Sequence, residues 1–367
     1  VNFARILQKK YEVDLYSFSE PILDGNDRFG RVEIADIGPI DTLSKAIKFF
    51  LLGKSLNERY NVASVRRQLA RVLEEGNYDC VVCTYITTMI PLIGIAKCPI
   101  ILDMVDVLSL SYKEAKGVSS LVKFKYWLEI PRSIRLERIC ADLSRKVLIT
   151  SKVEKAYVDE MMGVSPESSN IVVVSNGVDV PKGSPSFASE KSPINIGFLG
   201  RMDYYANVIA SRRLVNNIFP AIKSEFPGVE CRIIGANPDP AVVELRSDSV
   251  VVTGFVDDLE AELRKVDIMV LPMTIASGVQ NKLLFSMAAG KAAITTSRVD
   301  TGDIPFVNGE SVFFAETDGE FADAIRRLMN DRNLLASSQR AARELIMHNA
   351  SWESIGSKLL SLFADNA

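Results

Sequence analysis

Apolar positions along the chain follow two rhythms. Over residues 62–75, 121–142, 152–162 and 206–225 they return every three to four positions, which predicts helices. Between these stretches lie short runs that are apolar throughout, at 78–85, 99–106, 145–151 and 170–179. A second series follows at 194–200, 229–235, 250–256, 267–272 and 292–296, with helices expected at 259–265 and 282–289 and a helical tail over 321–363. A half-buried strand alternates, whereas a strand covered on both faces does not. The pattern therefore predicts an α/β protein with parallel, doubly wound sheets.

The pattern opens unusually. Residues 2–10 read as an amphipathic helix with Phe3, Ile6 and Leu7 on one face, and residues 11–18 then alternate like a strand. A domain of this kind normally begins with a strand and a tight loop, so the amino-terminal domain reads as lacking its first strand. The segment PKGSPSFASEKSP, residues 181–193, has the composition of a linker. The expected division is an amino-terminal Rossmann-like domain over 1–182, with a crossover helix at about 351–367 returning to it. A linker over 183–193 and a second Rossmann-like domain over 194–350 complete it. Two such domains would face each other across a cleft at the carboxyl ends of their strands, where open α/β sheets bind ligands.

Composition narrows the function classes. The 367 residues are 47% hydrophobic and 24% charged, as in ordinary globular proteins, and suffice for two domains. A net charge of −3 argues against a nucleic-acid partner. Five cysteines are too few for a disulfide scaffold and fit a reducing cytoplasm. Cys80 and Cys83 are spaced like a redox pair, but residues three apart on a strand point to opposite faces. A single histidine, His348, excludes a histidine-rich metal site and reads as a cation at a helix end. The uncharged stretch 80–96 contains Pro91 and is short for a membrane span.

Two segments carry candidate chemistry. In GFLGRMDYYAN, residues 197–207, a strand ends at Gly200, and Arg201 at its tip can contact a diphosphate bidentately. A helix opens near Asn207 and offers its free N–H groups. In ASGVQNKLLFSMAAGKAAITT, residues 276–296, a loop leads into a helix with Lys282 in its first turn. A lysine there opposes the helix dipole unless an anion is bound, so its position favours an anionic ligand. On neighbouring strand tips, Arg201 and Lys282 would form a diphosphate clamp. Each motif also has a plain reading, as a surface cation in an ordinary βα loop.

Taken together, SNGVD (175–179), GRMDYYAN, VTGFVDD (252–258), the LPM…ASGVQNK stretch and Ser351-Trp352 resemble the GT-B glycosyltransferases. They are most similar to the retaining, nucleotide-sugar-dependent family 4, in its bacterial exopolysaccharide-associated branch. FARILQKKYEVDLYSF, DMVDVLSLSY, the long helix with Glu129 and Glu137, and TSKVEKAYV also fit that branch. The resemblance implies sugar transfer with retention, from a UDP- or GDP-sugar to a glycan or lipid-linked acceptor, without cofactor or metal. It implies that Arg201 and Lys282 bind the donor diphosphate, that Gly200 and Gly278 allow close backbone approach, and that Asn281 caps the helix beneath it. Gly254, Phe255 and Val256 would border the nucleobase.

The sequence departs from the branch at two donor positions. Phe285 stands where a glutamate usually binds the ribose hydroxyls, and Ser277 where a first carboxylate is common. A phenylalanine accepts no hydrogen bond, so donor affinity is expected to fall by roughly 2–3 kcal/mol unless something compensates. The alternative is a catalytically silent GT-B protein that supports a partner transferase. In the amino-terminal half, Asp106 is the expected acceptor-orienting group or base, with Ser109 and Lys113 on the acceptor side. Between Lys113 and Arg138 there are seven basic and three acidic residues interleaved with aromatics, the pattern of either a solvated helix or a peripheral membrane contact at the cytoplasmic face.

Overall fold

A computed structural model describes residues 2–23, 27–37, 54–114, 120–181, 193–275, 280–299 and 302–364. The chain forms two compact units, one of residues 1–174 and 356–367, the other of 175–355. The linker expected over 183–193 lies, apart from residue 193, outside the described residues.

In the first unit β1 (Leu15–Ser17) pairs in parallel with β2 (Val32–Ile34). A four-stranded parallel sheet holds β3 (Val81–Thr84), β4 (Ile100–Asp103), β5 (Lys146–Ile149) and β6 (Ile171–Val173) in that order. Its apolar runs are buried on both faces. Cys83, Leu102, Val147 and Ile149 share one core with Val65 and Leu69 of the helix Ala63–Gly76, Cys140 of the helix Ser120–Leu143 and Val158 of the helix Lys152–Met162. The last helix starts where Ser151 accepts a hydrogen bond from the Glu154 N–H at 3.0 Å, and stops at Gly163, φ 69°. The thiols are free, and burial pushes Cys80 up to about 11, which favours its neutral form.

The second unit is a six-stranded parallel sheet of β7 (Ile196–Leu199), β8 (Cys231–Ile234), β9 (Val250–Val252), β10 (Ile268–Leu271), β11 (Ala292–Thr295) and β12 (Phe313–Phe314). The spatial order is β12-β11-β10-β7-β8-β9. The first strand of this unit is thus central, and the winding direction reverses between β7 and β10. That is the Rossmann order, and its switch point lies outside the carboxyl ends of these two strands.

Three local features differ from the sequence reading. The helix expected over 206–225 is divided into Tyr205–Arg213, a π-helical turn Leu214–Ile218, and Phe219–Glu225. Pro220 has no N–H to continue the ladder, so the wider turn precedes it. The SNGVD segment joins the second unit rather than the first. Val178 bridges to Ser351, with its N–H donating to the Ala350 carbonyl at 2.8 Å, and Trp352 lies over Gly177, where a Cβ would come within 2.3 Å of the indole. The residues up to Ile355 thereby belong to the second unit, and the remainder of the helix Trp352–Ala364 to the first.

At the end of β8, Gly235 lies directly under the Gly200 carbonyl. A Cβ there would come within 1.7 Å of that oxygen, and backbone on both sides cannot yield. Gly235→Ala is therefore expected to cost several kcal/mol, about 3 or more, by forcing the β7 and β8 tips apart. A thermal melt of the variant checks this, and a melting temperature equal to wild type would show that the tips can separate freely.

Candidate functional site

The switch point is built from the loop after β7 and the loop and helix after β10. The former carries Gly200, Arg201, Met202 and Asp203 and leads into Tyr205–Arg213. The latter runs from Pro272 to the helix Asn281–Ala288, with residues 276–279 outside the described residues. Ser277 and Gly278 therefore have no described position.

Lys282 is half-buried in the first turn of that helix. Its ammonium donates to Asn207 Oδ1, sits 3.7 Å from Met273 Sδ, and lies 5.6 Å from the centre of the Phe198 ring. Burial pushes it down from its usual value to about 8. Desolvating a cation opposite a helix amino terminus is unfavourable by itself, and an anion at this point relieves both costs.

Asn207 is the residue that the sequence reading passed over. It is buried; its Nδ2 donates to the Arg201 carbonyl at 2.8 Å, while its Oδ1 accepts from Lys282. One amide thus ties the β7 loop to the helix after β10. Its signal in sequence was its place at a helix start two residues after a tyrosine pair, which alone indicates a cap rather than a bridge. The capping bond expected from Asn281 is not made: Gln280 holds the N-cap position, and the Asn281 side chain accepts from Asn176 Nδ2 at 3.2 Å. Ser175 of the same SNGVD segment donates to Asp303, so this segment braces the helix start from the other side.

Arg201 reaches outward, its side chain 72% exposed, in a bidentate pair with Asp203 at 2.6 and 3.2 Å. The pair holds the Asp203 carboxyl below the usual range. Arg201 and Lys282 thus stem from loops joined through Asn207, but their charged ends differ: one is free to swing, the other is fixed. At Gly200 the missing Cβ makes room for the Asn207 amide, 2.6 Å from where that atom would be.

Gly254 has φ 73°, which calls for glycine, and forms an antiparallel bridge with Gly235. Phe255 beside it is 76% exposed, and Val256 turns inward. Phe285 and Val256 both pack on a cluster of Leu199, Ile234, Leu263, Val266, Met269 and Ala289. Position 285 is therefore an apolar contact in this chain, not a gap left by a lost carboxylate.

In the first unit, Asp103 and Asp106 flank a strained turn after β4. Val105 between them has φ 58°, an outlier for a β-branched residue. Tyr85, after β3, also has positive φ, 68°, and donates its N–H to the Asp103 carbonyl at 2.7 Å. Burial pushes the Asp103 carboxyl up to about 7, whereas Asp106 is exposed at the strand tip and raised in the same direction. Ser109 is not an acceptor-side group: it is fully buried, its hydroxyl held by Glu137 and 3.0 Å from the Tyr157 hydroxyl. Glu137 also accepts from the Ser109 N–H at 2.9 Å, and Glu129 from the Leu56 N–H at 2.9 Å, so both glutamates of the long helix hold the first turns of short helices. Lys113 is exposed and stacks over the Tyr157 ring at 4.7 Å. His348 lies on the exposed face near the end of the helix Arg332–Asn349, bonded to the Glu344 carbonyl at 2.8 Å.

Comparison with known proteins identifies the fold. Residues 193–331 match the family model described as glycosyl transferases group 1, which covers the Rossmann sheet of the second unit. No curated protein matches the sequence. Sucrose-phosphate synthase from Thermosynechococcus elongatus aligns over 99% of this chain and 91% of its own, with a TM-score of 0.70 and 16% identity. Anabaena Alr3699/HepE, solved in complex with UDP, aligns over 97% of this chain and 100% of its own, with a TM-score of 0.63 and 12% identity. A glycosyltransferase from Rickettsia africae ESF-5 aligns over 91% and 90%, with a TM-score of 0.61 and 14% identity. The architecture is the two-domain Rossmann-like fold of the GT-B class.

Two substitutions probe the site. Asn207→Leu keeps the branched shape but removes both bonds and leaves Lys282 without its acceptor, at an expected cost of about 1–3 kcal/mol. Urea unfolding measures it, and an unchanged midpoint would mean the bridge carries no weight. Phe285→Glu places a carboxylate against the Leu199–Met269 cluster and should cost about 2–3 kcal/mol without tightening nucleotide binding. A melting curve read beside a UDP titration decides this, since tighter binding at unchanged stability would show the pocket still fits a ribose-binding acid.

Proposed function

We propose that this protein is a glycosyltransferase that takes a nucleotide-diphosphate sugar as donor on its second unit. The observation that carries the reading is Lys282: a half-buried lysine in the first turn of a helix, at the switch point of a Rossmann sheet, held in place from the opposite loop by Asn207. Such a lysine is stabilised by an anion lying between the two loops. The diphosphate of a UDP- or GDP-sugar supplies one, with Arg201 free to leave Asp203 and close on it.

The chemistry follows from the charge that develops on the leaving diphosphate as the sugar departs. Lys282, Arg201 and the N–H groups of the helix Asn281–Ala288 stabilise that charge, which lowers the barrier most when they are already in place. Phe255 offers an exposed ring for the base and Gly254 the turn that presents it. In the first unit Asp106 is the group proposed to orient an acceptor hydroxyl or take its proton. Retention at the anomeric carbon, a glycan or lipid-linked acceptor and a place in polysaccharide synthesis complete the reading on the strength of the sequence resemblance.

The silent alternative draws support from Phe285, whose apolar packing leaves the ribose without the usual acid. Both readings share donor binding and differ in turnover, so nucleotide release from UDP- and GDP-sugars separates them.

Titration calorimetry with UDP and GDP tests the site itself. Lys282→Ala should weaken binding about tenfold or more, and Arg201→Ala should weaken it to a lesser degree, because that side chain is solvated. Bound diphosphate favours protonated Lys282, so affinity is full below about pH 8 and falls as the pH rises through about 8. Lys282→Arg should bind without that decline. Wild-type affinity in both alanine variants would remove the diphosphate site. Asp106→Asn should lower sugar transfer and leave nucleotide affinity unchanged; equal transfer would remove its role.

A further inference from the structure

The helix Ser120–Leu143 has a face that its own unit does not explain. Its inward face carries Glu129, Ser133, Glu137 and Cys140, spaced four, four and three residues apart and all buried. Its outward face carries Phe124 and Trp127, 56% and 68% exposed, with ring centres 6.0 Å apart and planes 24° from parallel. Two large aromatic rings stacked on each other in water, one turn apart, gain little for the fold.

Their neighbours give the charge. Lys123 and Lys125 flank Phe124, and Arg135 and Arg138 continue the exposed face along the helix. Every exposed charged side chain between 123 and 138 is basic, because the two glutamates in that interval are turned inward onto Ser55, Leu56 and Ser109. The protein as a whole carries −3, so this is a local field of opposite sign on an otherwise acidic molecule. Among the described residues no helix is long and apolar enough to cross a membrane.

We propose that this face docks on the surface of an anionic phospholipid bilayer. Trp127 and Phe124 would seat at the headgroup level, where an aromatic ring finds both apolar and wet surroundings. Lys123, Lys125, Arg135 and Arg138 would meet the lipid phosphates, each adding a salt-sensitive contribution. The buried acids keep the stretch from 123 to 138 free of exposed negative charge; Asp142, exposed near the helix end, lies beyond it. The inference stands on this helix alone and does not depend on the donor site.

Co-sedimentation with vesicles tests it. The full chain should bind phosphatidylcholine vesicles containing phosphatidylglycerol, bind pure phosphatidylcholine at least about tenfold more weakly, and lose binding as salt rises. The pair Lys123→Glu with Lys125→Glu should lower anionic-vesicle binding about tenfold or more, and Phe124→Ser with Trp127→Ser should do the same without altering the melting temperature. Equal binding to both vesicle types, or wild-type binding by both double variants, would overturn the proposal. So would a concentration-dependent dimer that the serine pair dissolves, since the face would then belong to a second copy of this chain.

Discussion

Gly200 and Asn207 compete for the same few ångströms, and the site depends on how that is settled. The chain leaves β7 through a residue without a side chain, and the Asn207 amide enters the space. From there it holds the Arg201 carbonyl on one side and the Lys282 ammonium on the other. A side chain on Gly200 would expel the amide, and Lys282 would lose the acceptor that makes its half-buried charge tolerable. Gly235 sets the same constraint one strand over, because the Gly200 carbonyl occupies the place of its Cβ. Two strand tips and one side-chain amide are thus packed too closely for any residue but glycine at 200 and 235, and this closeness positions a cation at the switch point.

The two cations differ in their surroundings. Lys282 is fixed, desolvated and lowered to about 8, so it is strongly responsive to an arriving negative charge. Arg201 is solvated and occupied by Asp203, two residues along. Releasing it costs little, because an exposed pair is worth little in water. One cation is thus held by a buried amide and the other by an exposed carboxylate, which is the difference on which the proposed diphosphate site rests.

The sheets were legible because burial on both faces leaves no polar alternation to misread. The strand cores at 81–84, 100–103, 146–149, 196–199 and 268–271 fall within the runs expected from sequence. The π turn before Pro220 was not legible, since helical periodicity survives a single widened turn. Arg201 just after β7 could be read from where glycine and cation fall, and Lys282 from the helix start, although it stands in the first helical turn rather than on a strand tip. Asn207 could not, because its role is defined by two partners 6 and 75 residues away. Ser109 misled for the same reason: a serine near an exposed aspartate looks available until a glutamate 28 residues on is found holding it.

Phe285 shows most clearly what a motif cannot say. Read against a pattern, it is a missing acid; read in place, it completes an apolar surface with Val256 and Leu259 over Leu199, Ile234 and Met269. These residues come from the ends of β7 and β8, from within β10, and from the turn and helix start after β9, so the change at 285 is not an isolated loss. An acid placed there would have to be hydrated or paired, and its neighbours offer neither. On the proposed reading, a donor on this unit would be held through its diphosphate and by stacking, with its ribose against an apolar wall rather than a carboxylate.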